Sequence, residues 1–269
     1  MKKSQTLTNP KRVPALFIGH GNPMLSITDN LYREAWVALG KTLSRPKTIL
    51  CISAHWETNG TQVCVAEKPE TIHDFGGFPA QLFAQQYPAP GAPECAKIIC
   101  DLFATGVITP TIHWGLDHGA WTILQSLFPA ADVPVLQLSL DKNLDFAEHF
   151  ALAQKLAGLR EQGVMMIGSG NIVHNLSRLD FTGGVYDWAV SFDDYVKSAL
   201  ETANDELLIK IELAGDSAKL AVPTVEHYLP LLYIAAMRHA DDNFKFFNES
   251  FDLGALSMRS IIYLPVGNS

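Results

Sequence analysis

The chain has 269 residues, a formal net charge of −8 and 48% hydrophobic residues. This acidity, without a basic cluster to offset it, argues against nucleic acid or an anionic membrane surface as the main partner. The hydrophobic fraction is enough to bury a large core, and the length fits one large α/β domain or two small ones.

Three features bear on where the protein works. Residues 1–12 carry charges but no apolar segment behind them, so we expect a flexible arm and not a secretion signal. No apolar run approaches the ~20 residues that are needed to span a bilayer. The cysteines stand at positions 51, 64, 95 and 100, form no CxxC pair and indicate reduced thiols. Together these features predict a cytoplasmic protein.

Short apolar runs alternate with longer amphipathic stretches almost to the end of the chain. The predicted strands are 15–19, 47–53, 62–66, 106–112, 133–138, 164–167, 244–246 and 260–264. The predicted helices are 29–43, 78–86, 92–103, 118–127, 144–159, 187–203, 205–213 and 225–238. This alternation predicts an α/β fold: one domain, 1–269, with a mostly parallel sheet flanked by helices. No crossover helix separates the last two strands, so we expect them to pair antiparallel at an edge or as a hairpin. Thr28 is expected to cap the helix at 29–43, and Asp117 stands at the start of the helix at 118–127.

Histidines recur where predicted strands end. His20 follows the first strand, His55 the second, and His174 comes shortly after the strand at 164–167. The strand at 106–112 leads into His113, with His118 close behind. The carboxyl ends of parallel strands meet at one edge of a sheet, where ligands bind in open α/β folds. Each histidine alone is more often a hydrogen-bonded turn residue, but four such ends together favour a metal site.

His227 stands in a different setting, at the start of the helix predicted from residue 225. An imidazole in a first helical turn loses proton affinity near the positive end of the helix dipole. The neutral imidazole is the form that binds a metal ion. The alternative is an exposed histidine on a helix. The neighbouring Glu226 would face elsewhere, because successive helical residues are about 100° apart.

Seven segments together resemble the class III extradiol ring-cleaving dioxygenases, in particular the DOPA 4,5-dioxygenase group of the LigB-like superfamily. They are GHGNPM at 19–24, ISAHWE at 52–57, HDFGGFP at 73–79, YPAPG at 87–91, LDHGAW at 116–121, GSGNIVHN at 168–175 and PTVEHYLP at 223–230. They occur in the order found in that family and span nearly the whole chain. Each motif is weak alone, but the set is specific.

The resemblance implies one α/β domain with a central mixed sheet and a metal held by His20, His55 and His227. It places His174 near enough to be a fourth ligand or an acid/base group, and His118 beside the metal, facing substrate and oxygen. The metal implied for activity is Fe²⁺, and Zn²⁺ can occupy the same ligands. Better-studied superfamily members use two histidines and one carboxylate. Here His227 takes the third place, which leaves the choice between iron and zinc open.

The implied reaction is cleavage of a catechol such as L-DOPA with O₂ to a ring-opened semialdehyde. His118 and His174 are the expected proton donor and acceptor, since an imidazole titrates near about pH 6.5. The HDFGGFP loop, with His73, Phe75 and Phe78, is expected to border the substrate. The aromatic candidates for stacking on the catechol are Phe75, Phe78, Trp56 and Tyr228, with core packing as the alternative for each.

Two other interpretations remain open from the sequence. A zinc hydrolase or amidase on a similar sheet would also use three or four histidines and a water. A metal-binding protein without catalysis is the second. The expected partners are a catechol-type small molecule and O₂, with no nucleic acid and no membrane, and a monomer is favoured.

Overall fold

The computed structural model describes residues 12–266. The predicted arm therefore lies outside the described residues, except for Arg12, which forms ion pairs with Asp241 and Asp242. Within residues 12–266 no helix is both long enough and apolar enough to cross a bilayer.

Ten strands form the described sheets. They are β1 (Ala15–Gly19), β2 (Thr48–Thr58), β3 (Thr61–Cys64), β4 (Ile108–Thr111), β5 (Val135–Asp141), β6 (Val164–Gly170), β7 (Asp242–Phe247), β8 (Phe251–Asp252), β9 (Leu256–Ser257) and β10 (Ser260–Pro265). Eight of them make one sheet in the order β4-β3-β5-β2-β6-β1-β10-β7, and β8 pairs with β9 alone. The central strands β5, β2, β6 and β1 are parallel, whereas β10 and β7 are antiparallel at one edge. The predicted α/β class and the antiparallel pairing of the last two strands are confirmed.

The described helices cover both faces of this sheet. They are α1 (Leu31–Thr42), α2 (Ala80–Phe83), α3 (Pro93–Asp101), α4 (His118–Leu127), α5 (Phe146–Leu156), α6 (Asp187–Glu201), α7 (Asp205–Ile209), α8 (Asp216–Ala221) and α9 (Leu229–Ala236). In β1, Ala15 and Phe17 pack on one side, whereas Leu16 and Ile18 pack on the other. Because successive strand residues point to opposite faces, a strand apolar at every position needs helices on both. The α1, α2 and α4 helices supply one layer, and α3 and α5–α9 supply the other.

Some predicted boundaries were wrong. The cap of α1 is Asn30, whose side chain accepts a hydrogen bond from the Arg33 N–H, whereas the Thr28 hydroxyl donates to the Met24 carbonyl. The α9 helix begins at Leu229 and not at 225. A start at 225 would place Pro230 inside the helix, where its ring clashes with the preceding turn; in the first turn it is tolerated. His227 therefore lies in a turn before the helix.

One boundary near the site also differs, and some short elements were not predicted. Strand β2 continues past Ser53 to Thr58, with a register shift between Ile52 and Glu57, so His55 lies within the strand. The short α8 and the β8–β9 hairpin were not predicted, because two to six residues are too few to show a period.

Candidate active site

Five imidazoles meet at the carboxyl edge of the parallel strands. His20 follows β1, His55 lies in β2, His118 opens α4, His174 follows β6 and His227 precedes α9. The ring centroids of His20, His55 and His227 are 5.0 to 5.4 Å apart. The His118 ring lies 3.9 Å from that of His55, and the His174 ring stacks on His227 at 3.4 Å. Strands adjacent in the sheet thus gather histidines that are remote in sequence. His113, considered with them in the sequence, is exposed beyond β4.

A hydrogen-bond chain fixes which nitrogen of His20 carries the proton. The Ser169 hydroxyl donates its only proton to the Gly119 carbonyl at 2.6 Å. Its oxygen must therefore accept from Nδ1 of His20, which lies 2.9 Å away. Nε2 of His20 is left as an acceptor, 3.1 Å from Nε2 of His55. The lone pair of His20 thus faces the centre of the cluster.

His227 is oriented in the same way by a carboxylate. Its Nδ1 donates to Oε1 of Glu226 at 2.9 Å, and that oxygen also accepts from the Thr224 hydroxyl. Nε2 of His227 is buried and has no hydrogen-bond partner among the described residues. The expectation that Glu226 faces elsewhere is wrong, because residues 226–228 form a turn and the helical spacing does not apply.

The main chain of His227 is held against the end of β6. The Asn171 N–H donates to the His227 carbonyl at 2.9 Å. At Gly170 a Cβ atom would collide with that same carbonyl oxygen. Glycine is therefore required at this position by the close approach of the two backbones.

Asp74, in the loop between β3 and α2, ties His118 and His55 together. One carboxylate oxygen accepts the main-chain N–H of His118 at 2.8 Å, and the other contacts its ring Nδ1, also at 2.8 Å. Nδ1 of His55 lies 3.5 Å from the second oxygen. Burial raises the pKa of Asp74, but the bonds from His118 and the charges of the two rings outweigh it, so that the pKa lies below its ordinary value. The carboxylate is therefore ionised.

A buried hydrogen-bond network holds the main chain of His55 in place. The Ser53 hydroxyl accepts the His55 N–H and donates to Oδ1 of Asp117. Asp117 also caps α4 by accepting the Ala120 N–H, at the helix start where the sequence placed it. Gly119 leaves no room for a Cβ beside Ser53 and His55. The start of α4 and the end of β2 are thereby locked to each other.

Burial keeps four of the imidazoles neutral, those of His20, His55, His174 and His227. Desolvation, reinforced by neighbouring rings, places the pKa of His20 and of His227 well below the ordinary value. The pKa of His55 falls to about 3 for the same reasons, and desolvation lowers the pKa of His174 to about 4. Neutral imidazole is the form that coordinates metals.

The donor set fits a divalent transition metal. His20, His55 and His118 each offer a nitrogen within 4.8 Å of the others, and His174, Glu226 and His227 form a second such group. Metal–nitrogen distances of about 2.0–2.1 Å put neighbouring tetrahedral or octahedral ligands about 2.9–3.4 Å apart, which the 3.1 Å between His20 and His55 matches. Imidazole suits both iron and zinc, so these residues can hold either ion.

A cavity of about 300 Å³ opens onto the histidines. Its lining is His20, Gly21, Asn22, Pro23, His55, Phe75, Phe78, His118, His174, Leu176, Leu179, His227, Leu253 and Leu256. The rings of Phe75 and Phe78 meet edge to face at 5.4 Å, and Phe75 meets His118 at 5.5 Å. Two of the predicted stacking residues thus lie on the cavity wall.

Three predicted substrate residues lie outside this cavity. Trp56 is buried and its ring stacks on Trp114 at 5.4 Å. Tyr228 is fully buried, and its hydroxyl donates to the Leu208 carbonyl. Nε2 of His73 lies 3.0 Å from the Gln85 carbonyl oxygen, so the ring anchors the HDFGGFP loop to the chain after α2. Substrate contact by these three residues is corrected to structural packing.

The sequence interpretation missed the residues that orient the histidines. Asp74 follows His73 in a motif that was singled out, and Ser169 lies in the GSGN segment, so both were visible as candidates. The leucines at 253 and 256 carried no signal, because a short hairpin of mixed residues has no distinctive pattern.

Comparison with known proteins agrees with this geometry. A family model, the catalytic LigB subunit of aromatic ring-opening dioxygenase, matches residues 15–253. An Escherichia coli K12 protein named 4,5-DOPA dioxygenase extradiol is 44% identical, with 93% of this chain and 94% of that protein covered. A Beta vulgaris protein of the same name is 41% identical, over 91% and 94%. The crystal structure of an uncharacterized Escherichia coli K12 protein superposes with a TM-score of 0.81 at 40% identity, covering 93% of this chain and 99% of that one. The resemblance read from the motifs is confirmed: the chain belongs to the LigB family of aromatic ring-opening dioxygenases and is an extradiol-type enzyme.

Proposed function

We propose that the protein cleaves the aromatic ring of a catechol, such as L-DOPA at the 4,5 bond, with O₂ to give a ring-opened semialdehyde. Both oxygen atoms of O₂ enter the product, so no other oxidant is needed. The observation that carries this proposal is the 300 Å³ cavity whose floor is five histidines and whose wall holds Phe75 and Phe78. The names of the relatives support the choice of substrate.

We assign the metal to His20, His55 and His227, with His174 beside it and Fe²⁺ as the ion for activity. The oriented Nε2 atoms of His20 and His227 support this set. When bound, such an ion would supply Lewis acidity that favours the catecholate and, as iron, a redox-active centre through which electrons of the catecholate could reach dioxygen. Zn²⁺ would fit the same ligands but would not supply redox chemistry.

His118 is the proposed proton acceptor. With Nδ1 held by Asp74, its Nε2 is left as an acceptor, and the residue lines the cavity. It can take a proton from a catechol hydroxyl, and the ionised Asp74 then stabilises the imidazolium. The same proton can return when the ring opens.

His174 is the proposed second acid/base group. It stacks on His227 and lines the cavity, and desolvation lowers its pKa to about 4, so that it starts the reaction as a neutral base. Phe75 would hold the catechol ring next to His118. Each of these roles can be tested by replacing the residue with one of similar shape.

The test is oxygen uptake by protein purified without air and loaded with either Fe²⁺ or Zn²⁺. With L-DOPA, the iron form is expected to consume one O₂ per catechol and to produce a yellow ring-opened product, and the zinc form is expected to be inactive. The matched variant His20→Ala should fold normally and lose turnover. Hydrolysis of amide or ester substrates by the zinc form, without oxygen uptake by the iron form, would overturn the proposal in favour of a zinc hydrolase. Cytoplasmic location and a monomeric state stay predictions, which fractionation and gel filtration would check.

A further inference from the structure

Part of the cavity wall is built from leucine. Leu176 and Leu179 come from the segment that follows His174, and Leu253 and Leu256 come from the β8–β9 hairpin. His174 and Leu256 are paired backbone neighbours in an isolated antiparallel bridge. The apolar wall therefore begins directly beside the histidine cluster.

One of these leucines, Leu253, has a strained backbone conformation. Leu253 has φ of 47°, in the left-handed region that bulky side chains rarely adopt. Its carbonyl oxygen accepts hydrogen bonds from the N–H groups of Asp180 and Ala255, both at 2.8 Å. Glycine or asparagine would relieve the strain at this position. Strained residues that the surroundings hold in place cluster at ligand sites.

Charged side chains lie near the cavity without lining it. Arg178 and Asp252 are chain neighbours of the wall leucines but are not part of the lining. Asp74 is bonded to His118 and Glu226 to His227, and neither lines the cavity. Among the described residues that do line it, none is a lysine, an arginine, an aspartate or a glutamate. A carboxylate or ammonium of a substrate lying on the leucine wall would lose part of its water and would meet no charged partner among the lining residues. A volume of about 300 Å³ is at the small end for ligand pockets, so the substituent must lie close to the wall.

We propose that the preferred substrates are catechols whose ring substituent is uncharged and apolar, and that Leu176, Leu179, Leu253 and Leu256 determine this specificity. The inference rests on the proposed function and narrows its substrate class. L-DOPA, whose substituent carries an ammonium and a carboxylate, is then a slow substrate and not the best one.

The test uses five catechols that carry three-carbon substituents at the same ring position. They are 4-propylcatechol, methyl 3,4-dihydroxyphenylpropanoate, 3,4-dihydroxyphenylpropanoate, 3,4-dihydroxyphenylpropylamine and L-DOPA. On the iron-loaded protein, kcat/KM is expected to be at least tenfold higher for the two uncharged compounds than for L-DOPA. Calorimetric Kd values, measured without O₂ on the zinc-loaded protein, are expected to follow the same order. An L-DOPA value equal to or better than those of the uncharged compounds, in either measurement, overturns the inference.

A charged side chain on the leucine wall should change the order of affinities among these catechols. Leu176 is 62% exposed at the cavity, and Leu176→Arg is expected to improve the Kd of the anionic compound relative to 4-propylcatechol by at least fivefold. Leu213 is similarly exposed, at 60%, but does not line the cavity, and Leu213→Arg should leave the order unchanged. If no catechol is cleaved, the proposed function fails, and the Kd order still decides the inference. An unchanged order in Leu176→Arg contradicts the role given to that leucine.

Discussion

His118 gives both its main-chain N–H and its ring Nδ1 to the carboxylate of Asp74, each at 2.8 Å. The two bonds fix the ring's position and its protonated nitrogen together. Asp74 belongs to the same loop as Phe75 and Phe78, which line the cavity. The loop that lines one side of the cavity and the imidazole of His118 are therefore held together as one unit.

Replacing this carboxylate should impair proton transfer and leave the fold intact. In Asp74→Asn the side chain can no longer accept two hydrogen bonds through two oxygens, so the His118 ring is free to turn or to change tautomer. We expect kcat to fall roughly 10- to 100-fold, within the usual contribution of a positioned acid or base. The check is the pH profile of kcat for L-DOPA, with metal content measured on the same sample.

A matched control for this variant is Asp132→Asn, which removes a surface partner of Arg45 far from the cavity. Its kcat and pH profile should equal those of the parent protein. An Asp74→Asn enzyme with full kcat and an unchanged profile would remove Asp74 from the mechanism.

Glu226 should affect metal affinity more than it affects stability. Its carboxylate makes His227 a better donor by accepting the Nδ1 proton. In Glu226→Gln that support is weakened, and we expect metal affinity to fall about 10- to 100-fold. Competition against a chelator of known affinity measures this directly. Glu212→Gln, on an exposed residue remote from the site, is the control, and equal affinities in the two variants would contradict the assignment.

Gly170→Ala should displace His227. A Cβ at this position collides with the His227 carbonyl oxygen, so the turn before α9 must move. We expect a loss of stability of about 1–3 kcal/mol, typical for overpacking, and weaker metal binding. Gly158→Ala adds a methyl group where nothing lies within 4 Å and should change neither. Thermal unfolding of both variants, without metal and with Zn²⁺ added, makes the comparison.

His149 should contribute to loss of stability in acid. It is fully buried, with Nδ1 3.0 Å from the Tyr233 hydroxyl, and desolvation lowers its pKa below 6.5. In mild acid, His149 therefore binds a proton in the unfolded chain but not in the folded chain. Stability is full above the unfolded pKa, near 6.5, and declines as the pH falls through it, by no more than about 1.4 kcal/mol per pH unit.

In metal-free protein, His149→Gln should flatten the fall in unfolding free energy between pH 7.5 and 5.5, even if it lowers stability throughout. Urea unfolding of the parent protein and the variant at four pH values gives the two slopes. Parallel curves would show that His149 does not drive this loss.

The residues that the sequence identified best are those set by strand periodicity and by local caps. Apolar runs ending at His20 and near His174 placed two site histidines correctly, because adjacent parallel strands bring their carboxyl ends together. The start of α4 beside Asp117 was also predicted, and there the side chain accepts the Ala120 N–H three residues away.

Contacts between segments remote in sequence could not be predicted in this way. No local pattern shows that Ser169 bonds to both His20 and Gly119. Trp56 and Tyr228 were misplaced for a related reason: the face that an aromatic residue presents depends on a bulge in β2 and on the delayed start of α9. The assignment of His227 itself came from family resemblance, since a turn before a short helix has no periodic signal.

The pairing of β1 on both sides has a consequence for biosynthesis. Its neighbours in the sheet are β6, at residues 164–170, and β10, at residues 260–265. The strand that leads to His20 therefore leaves the ribosome early and stays without partners until much later segments emerge. Contacts this distant in sequence slow folding and leave an apolar strand edge exposed meanwhile. Nascent chains should accordingly depend on chaperones, and the metal centre can mature only after the sheet has closed around that strand.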